Sequence, residues 1–303
     1  MDLKQLDYFV HIAELGSFTR AASVLRVAQP ALSRQVRALE VELRQPLFDR
    51  NGRGVTLTEA GKRLLAHGRG ILQQVDRARQ DLEDHRGAPV GRLAIGVPPS
   101  VSRSLTGPLV GAFRTRFPKA TLTMVEGLSA YVLEWLALGR VDCAVVYNVS
   151  PASSIELLPV LDMPLFLVSA RSPGAAPLGA PVTVEELAQH PLVMPSRPHS
   201  IRMLVETALA GAGCKPQVQL EIESVPAILD LVAGQGLHAV LGLNALQSGS
   251  REDQFTVRPV VRAAGGAPLA ATLGIATSAQ RPRGPLLDQS VQLVAELLRA
   301  GAD

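Results

Sequence analysis

Two cysteines in 303 residues, Cys143 and Cys214, are too few and too far apart for a disulfide framework, a zinc site or a close dithiol motif. Aromatic residues make up only 4% of the chain, so its cores must be aliphatic. Long apolar runs are missing too: charge, Gly or Pro interrupts each one before the roughly 20 residues a membrane helix needs. Met1 to Lys4 lead straight into an amphipathic pattern, without the apolar segment and small-residue cleavage site of a secretory signal, so a cytoplasmic chain is expected. The six histidines lack metal-ligand spacing, and no G-x-S-x-G elbow, Walker loop or H-E-x-x-H occurs. No catalytic residue, metal or cofactor is therefore expected, and an α/β enzyme is the weaker alternative.

What is present begins with charge. The net charge is +3, and all of the excess lies in the stretch up to and including Arg63, where ten Lys or Arg stand against seven Asp or Glu. That is where a contact with phosphates would need it. A chain of this length suits about two or three compact units.

Leu3, Leu6, Phe9, Val10, Ala13 and Leu15 recur at helical spacing up to Gly16. Ser17 is a good cap for a second helix carrying Phe18, Ala21, Ala22 and Leu25. A third helix starts near Ala28 or Gln29 and directs Leu32, Val36, Leu39 and Leu43 inward. Its other face holds Gln29, Ser33, Arg34 and Arg37, which reads either as a solvated surface or as a base-reading face behind a tight turn. L-F-D-R-N-G-R-G-V-T-L-T, from Leu47 to Thr58, carries a hairpin signal in its Asn-Gly pair, with Arg50 and Arg53 flanking the tip for the phosphate backbone or minor groove.

F-V-H-I-A-E-L-G-S-F-T-R-A-A-S-V-L-R-V-A-Q-P-A-L-S-R-Q-V-R-A-L-E-V-E-L, with L-F-D-R-N-G-R-G-V-T-L-T-E-A-G after it, resembles the signature of the LysR-type regulators over Leu3 to Gly61. The resemblance implies a winged helix-turn-helix on double-stranded promoter DNA, with contacts from Gln29, Pro30, Ser33, Arg34 and Arg53. Gln45-Pro46 departs from the family pattern at the entry to the wing.

Gly61, Leu64, Gly68, Ile71, Val75, Ala78 and Leu82 form a stripe at alternating spacings of three and four. A packed core helix would show a similar stripe; the resemblance implies a dimerising linker, giving a homodimer or homotetramer. Gly87, Pro89 and Gly91 then mark a hinge. Beyond Arg92 strands and helices alternate, which predicts α/β units on a mostly parallel sheet in two lobes. The expected organisation is an all-α winged helix-turn-helix domain over 1–60, a linker helix over 61–87 and a periplasmic-binding-protein-like effector domain over 88–303. Lobe I covers about 91–162 and 269–303, and lobe II about 163–268.

Ligands of open α/β sheets lie beyond the carboxyl ends of strands, at helix N-termini that attract anions. Ser100, Ser102 and Ser129 sit in such loops. P-S-R-P-H-S-I-R, from Pro195 to Arg202, is similar to the nitrogen-assimilation-control subgroup and brings Arg197, His199 and Arg202 to a helix start. It reads either as a solvated, cap-rich loop or as part of the effector cleft. Hydroxyls with positive charge favour a small carboxylate or other anion. A redox sensor using Cys143 or Cys214 is the alternative regulator, and RNA polymerase is an open further partner.

Overall fold

Capping decides where the first helices begin and end. Asp2 and Gln5 form a reciprocal capping box for α1 (Leu3–Leu15), which stops at Gly16 in the left-handed region, φ 62°. Ser17 caps α2 (Phe18–Leu25), and Arg26 turns the chain into α3 (Gln29–Leu43). This computed structural model describes residues 1–51, 54–83, 90–247 and 252–301. They divide into two units, one of Met1–Gly91 with Ala137–Arg140 and the other of the remaining residues from Arg92 on.

The first unit is organised by one aliphatic core. Leu6, Phe9, Ile12, Leu32, Val36 and Leu39 are at most 1% exposed, whereas Leu43, expected on the same face, is 36% exposed at the C-terminal end of α3. The hairpin β1 (Phe48–Asn51) and β2 (Gly54–Leu57) pairs antiparallel, and Phe48 packs its ring against Phe9 and Phe18. The entry to this hairpin, where Gln45-Pro46 stands, is held by the Glu40 carboxylate, which accepts from the Leu47 and Phe48 N–H groups at 2.8 and 3.3 Å. α4 (Glu59–Glu83) follows. A side chain at Gly61 would strike the Leu47 carbonyl, and one at Gly68 would press on Leu6 and Val10. The first part of the expected dimer stripe therefore packs within the chain, while Ile71 is 38% exposed. Gly87 and Pro89 of the expected hinge lie outside the described residues; Gly91 has φ 118°.

In the second unit, alternate residues of β3 (Gly91–Val97) and β5 (Cys143–Tyr147) face two different helical layers. Leu93, Ile95, Cys143 and Val145 meet α5 (Pro99–Arg116) and α11 (Pro285–Ala300), and Ala94, Ala144 and Val146 meet α6 (Ser129–Ala137). Both faces are covered, which is why these strands read as continuous apolar runs. β4 (Ala120–Glu126) forms the edge, and β12 (Ala270–Ser278) lies between β5 and β6 (Ile155–Ala170).

The sheet corrects the mostly parallel expectation. β6 is antiparallel to β12 over its first part and to β10 (Ala239–Gly242) and β11 (Phe255–Val261) over its second. It carries the chain out of lobe I into lobe II, and β12 brings it back in the opposite direction, so the shared strands must oppose each other. The register slips between Leu273 and Gly274, which leaves Val160 without an opposite residue. Lobe II is completed by β7 (Val182–Thr183), α7 (Val184–Leu187), β8 (Pro191–Met194), α8 (Ser200–Gly211), β9 (Gln217–Glu221), α9 (Val225–Gln235) and α10 (Asn244–Gln247).

Candidate nucleic-acid interface and effector cleft

α3 separates its two faces cleanly. Opposite the buried Leu32, Val36 and Leu39 lie Gln29, Pro30, Arg34 and Arg37, all exposed, with Ser33 half-buried. Arg34 and Arg37 have no hydrogen bond or ion pair to other described residues, so both guanidinium groups are available to a partner. No side chain caps the start of α3 at Ala28; Pro30 brings no N–H, and the Ala31 and Leu32 N–H groups donate to the Ala28 carbonyl, so among the described residues Gln29 has the free N–H of the first turn. Sequence patterning had not flagged that uncapped start. In the hairpin the backbone pairs Arg50 with Val55, and Arg53 lies outside the described residues.

The effector unit places its polar groups around a concavity. A chamber of ≈ 50 Å³ is lined by Ser100, Tyr147, Met163, Pro195, His199 and Asn244. It adjoins an opening of ≈ 740 Å³ that shares Ser100 and Val225 and adds Ser102, Arg103, Glu126 and Glu223. Three helices begin here, α5 after Pro98, α8 after His199 and α9 after Ser224, and none has a side-chain cap bond. Pro99 and Pro226 bring no N–H, and the Val101 and Ser102 N–H groups donate to Pro98, so α5 offers the Ser100 N–H alone; with the first N–H groups of α8 and α9 and the three dipoles, the chamber is still a place for negative charge.

The predicted residues are used in different ways. Ser100 Oγ lies 3.3 Å from the Tyr147 hydroxyl, whose pKa burial pushes up, with bonds from Ser100 and Asn244 acting the other way. Ser129 Oγ accepts from the Tyr147 N–H at 3.0 Å and so holds the end of β5. The Ser102 hydroxyl donates to Glu126 at 2.6 Å. Arg197 is exposed and pairs with Glu206 at 2.9 Å. Arg202 is 7% exposed, and its guanidinium meets Glu206 at 2.9 Å, Glu221 at 2.8 Å and the Pro195 carbonyl at 2.9 Å. His199 lines the chamber, and its Nδ1 is buried without a hydrogen-bond partner among the described residues. Burial lowers the His199 pKa, with Glu223 opposing, so the ring is neutral near pH 7.

Tyr147, Asn244, Glu126 and Glu223 were not singled out from the sequence. The first and third end their strands at carboxyl edges, a position that marks them under the crevice rule. A larger chamber of ≈ 400 Å³ lies between α5, β6 and the end of α11. Its walls include Leu105, Leu161, Leu273 and Leu298, and its carboxylate Asp162 already accepts from Thr272 at 2.6 Å, so it lacks convergent polar groups. Cys143 is fully buried, and Cys214 Sγ is 3.5 Å from the Ala212 carbonyl. Among the described residues no group of three or more His, Cys, Asp or Glu is placed to hold a metal ion, and no helix is long and apolar enough to cross a membrane.

A cation-bearing helix beside a hairpin in one unit and a polar cleft between two α/β lobes in the other define a ligand-responsive DNA-binding regulator. The comparisons agree. Residues 3–62 match the family model for the bacterial regulatory helix-turn-helix protein, lysR family, and residues 86–299 match that for the LysR substrate binding domain. The chain belongs to the LysR family of transcription regulators. It is 39% identical over 251 residues to the nitrogen assimilation regulatory protein nac of Escherichia coli (strain K12), covering 82% of this chain and 80% of that protein. A full-length OxyR variant from Pseudomonas aeruginosa shares the fold with a TM-score of 0.72 at 24% identity, over 99% of this chain and 95% of that one. Full-length CbnR complexed with its target DNA gives 0.70 at 24% identity, over 98% and 100%. The relatives are transcription regulators, and this chain is one too, not an enzyme.

Proposed function

We propose that this regulator reads promoter DNA through Gln29, Pro30, Ser33, Arg34 and Arg37, with Arg50 and Arg53 on the backbone beside them, and that a small anion in the cleft adjusts that binding. The reading head spans 1–60, the linker 61–87 and the effector domain 88–303, with two lobes exchanging at about 162 and 268. The protein works in the cytoplasm as a homodimer or homotetramer joined through α4, with RNA polymerase as a further partner.

The observation that carries the effector reading is the meeting of three uncapped helix starts at one chamber that also presents Ser100 and His199. An anion's acceptor oxygens would satisfy those N–H groups and the Ser100 hydroxyl. Arg202 and Ser129 support the chamber's walls from behind, Ser102 stands in the adjoining opening, and Arg197 pairs with Glu206 beside Arg202.

The test is a thermal-shift titration of the full-length protein with acetate, butanoate and succinate, followed by footprinting on its own promoter. A ligand that binds the native state raises the Tm by mass action. Ser100→Ala should need more ligand for the same shift in Tm and in footprint, while its footprint without ligand matches the parent's. Equal responses of parent and variant would move the effector site elsewhere.

A further inference from the structure

The wide opening has the wrong charge for a simple anion. Glu126 stands on the lobe I side, at the end of β4, and Glu223 on the lobe II side, between β9 and α9. Both are fixed by the protein: Glu126 accepts from the Ser102 hydroxyl at 2.6 Å, and Glu223 from the Ser196 N–H at 3.1 Å. Each carboxylate has a second oxygen beyond the one those bonds use. Against these two negative charges the lining sets one guanidinium, Arg103, which is exposed on α5.

The chamber and its opening thus differ in sign along one path. Inside are the three uncapped helix starts, the Ser100 hydroxyl and the unpartnered Nδ1 of a neutral His199, with no carboxylate in the lining. At ≈ 50 Å³ the chamber holds little more than one polar head group. The rest of a ligand must lie in the opening, between Glu126 and Glu223. We infer that the effector is a zwitterion of the amino-acid class, with its carboxylate in the chamber and its ammonium group between Glu126 and Glu223. This inference rests on the cleft being the effector site.

The ammonium donates N–H bonds to the two carboxylates, and the carboxylate accepts from the helix starts. A dicarboxylate of equal length would bring its second charge against Glu126 and Glu223. A monocarboxylate would leave them in water and gain nothing from them. Because both glutamates are solvent-exposed, the expected preference is about three- to tenfold in Kd.

The experiment is calorimetric titration of the full-length protein with glycine, 4-aminobutanoate, 5-aminopentanoate, glutamine and lysine, beside butanoate, pentanoate, succinate and glutarate. The expected result is tightest binding by one of the amino acids, weaker binding by the monocarboxylates and weakest by the dicarboxylates. In Glu126→Gln/Glu223→Gln, whose amide oxygens can still accept from Ser102 and Ser196, that preference should shrink to nothing while carboxylate binding persists. An unchanged apo Tm would show that the variant is folded, and Glu223→Gln alone should lose part of the preference. Succinate or glutarate binding as tightly as the best amino acid would overturn the zwitterion and leave the cleft reading intact, as would a preference that survives in the double variant. No heat with any member of the panel would overturn both.

Discussion

The reading head and the effector unit expose their polar side chains under opposite rules. On α3 the proposed reading face is open to solvent: Arg34 and Arg37 are exposed and have no partner among the described residues. In the cleft most of the polar side chains are already engaged, the His199 Nδ1 excepted. Ser129 holds β5, Ser102 holds Glu126, and Arg202 is shared by two glutamates and a carbonyl. A surface meant for a polyanion keeps its cations free, because counterion release supplies the binding energy. A cleft meant for one small molecule fixes its walls first, since polar groups that are already positioned cost less to order on binding.

Four measurements would break or sharpen this contrast. The largest effect should come from the head's own helix α4, where Ile71 is 38% exposed in a single chain. If that face is the dimer seam, Ile71→Glu buries an unpaired charge. This costs roughly 3 kcal/mol or more, over about a hundredfold in the dimer dissociation constant. Light scattering across a concentration series should then find the variant monomeric where the parent is not. Equal masses would place the seam elsewhere.

Next in size is Arg202→Ala. It leaves Glu206, whose side chain is 14% exposed, with only the exposed Arg197 of its two arginine partners, and also removes the partner of the half-exposed Glu221. About 2–3 kcal/mol of effector-unit stability should go, partly screened on the Glu221 side. Denaturant melts should show it without any ligand present. A variant as stable as the parent but deaf to the effector would turn Arg202 from a support into a ligand contact.

Arg202 also shows what the sequence could and could not convey. Its charge next to a helix start was legible and suggested an anion contact. The pair with Glu206 at i+4 was legible too, because that spacing places both on one helix face. Glu221, on β9, reaches Arg202 only through the tertiary fold, so the neutralisation was hidden. The head fared better because a 3.6-residue period sorts its faces locally: Leu32, Val36 and Leu39 are buried, and Arg34 and Arg37 are not. The shared strand β6 is legible in sequence only over its apolar second part, Leu165 to Ser169. Pro159 and Pro164 interrupt the pattern, yet pairing to β12 continues across Pro159 and reaches Pro164. For the same reason β11, which contains Pro259, is hard to read as a strand. Glu126 and Glu223 stand 97 positions apart, and only the closure of the two lobes brings them to one opening.

Arg34→Ala is the third measurement and sharpens the reading head's side of the comparison. The side chain bonds nothing within its own chain among the described residues, so removing it should leave the head's melting unchanged. Loss of one good base contact costs about 1–3 kcal/mol of discrimination, roughly five- to 150-fold between operator and random DNA. Competition binding at fixed salt reads that ratio. If operator and random DNA weakened equally, Arg34 would be a phosphate contact, and the reading face would lie further round α3.

The smallest effect expected is on the pH dependence of the effector unit, and its sign follows from three histidines. Burial is the main cause that holds His190, His199 and His238 below the ordinary imidazole value of 6.5. Arg258 adds to it for His190 and His238, and His190 adds to it for His238, whose Nδ1 lies 2.7 Å from the Ser169 hydroxyl. Glu186 opposes the shift at His190, and Glu223 opposes it at His199. Each ring is therefore harder to protonate in the native state than in the unfolded chain. Above 6.5 both states are neutral and the contribution to stability is complete. As pH falls through 6.5 the unfolded chain takes up protons first, so stability declines until the native rings titrate as well. The Tm of the effector unit should be level between about pH 8 and 7 and drop by about 2–5 °C toward pH 5.5. His238→Asn should flatten part of that slope, since it removes one titrating ring and also the neighbour that His190 packs against at 4.6 Å. A Tm that rose on acidification would mean that these rings gain a partner when charged. The carboxylates at Glu186 and Glu223 would then outweigh burial, and the cleft would become more cationic, and more attractive to a simple anion, as the pH fell.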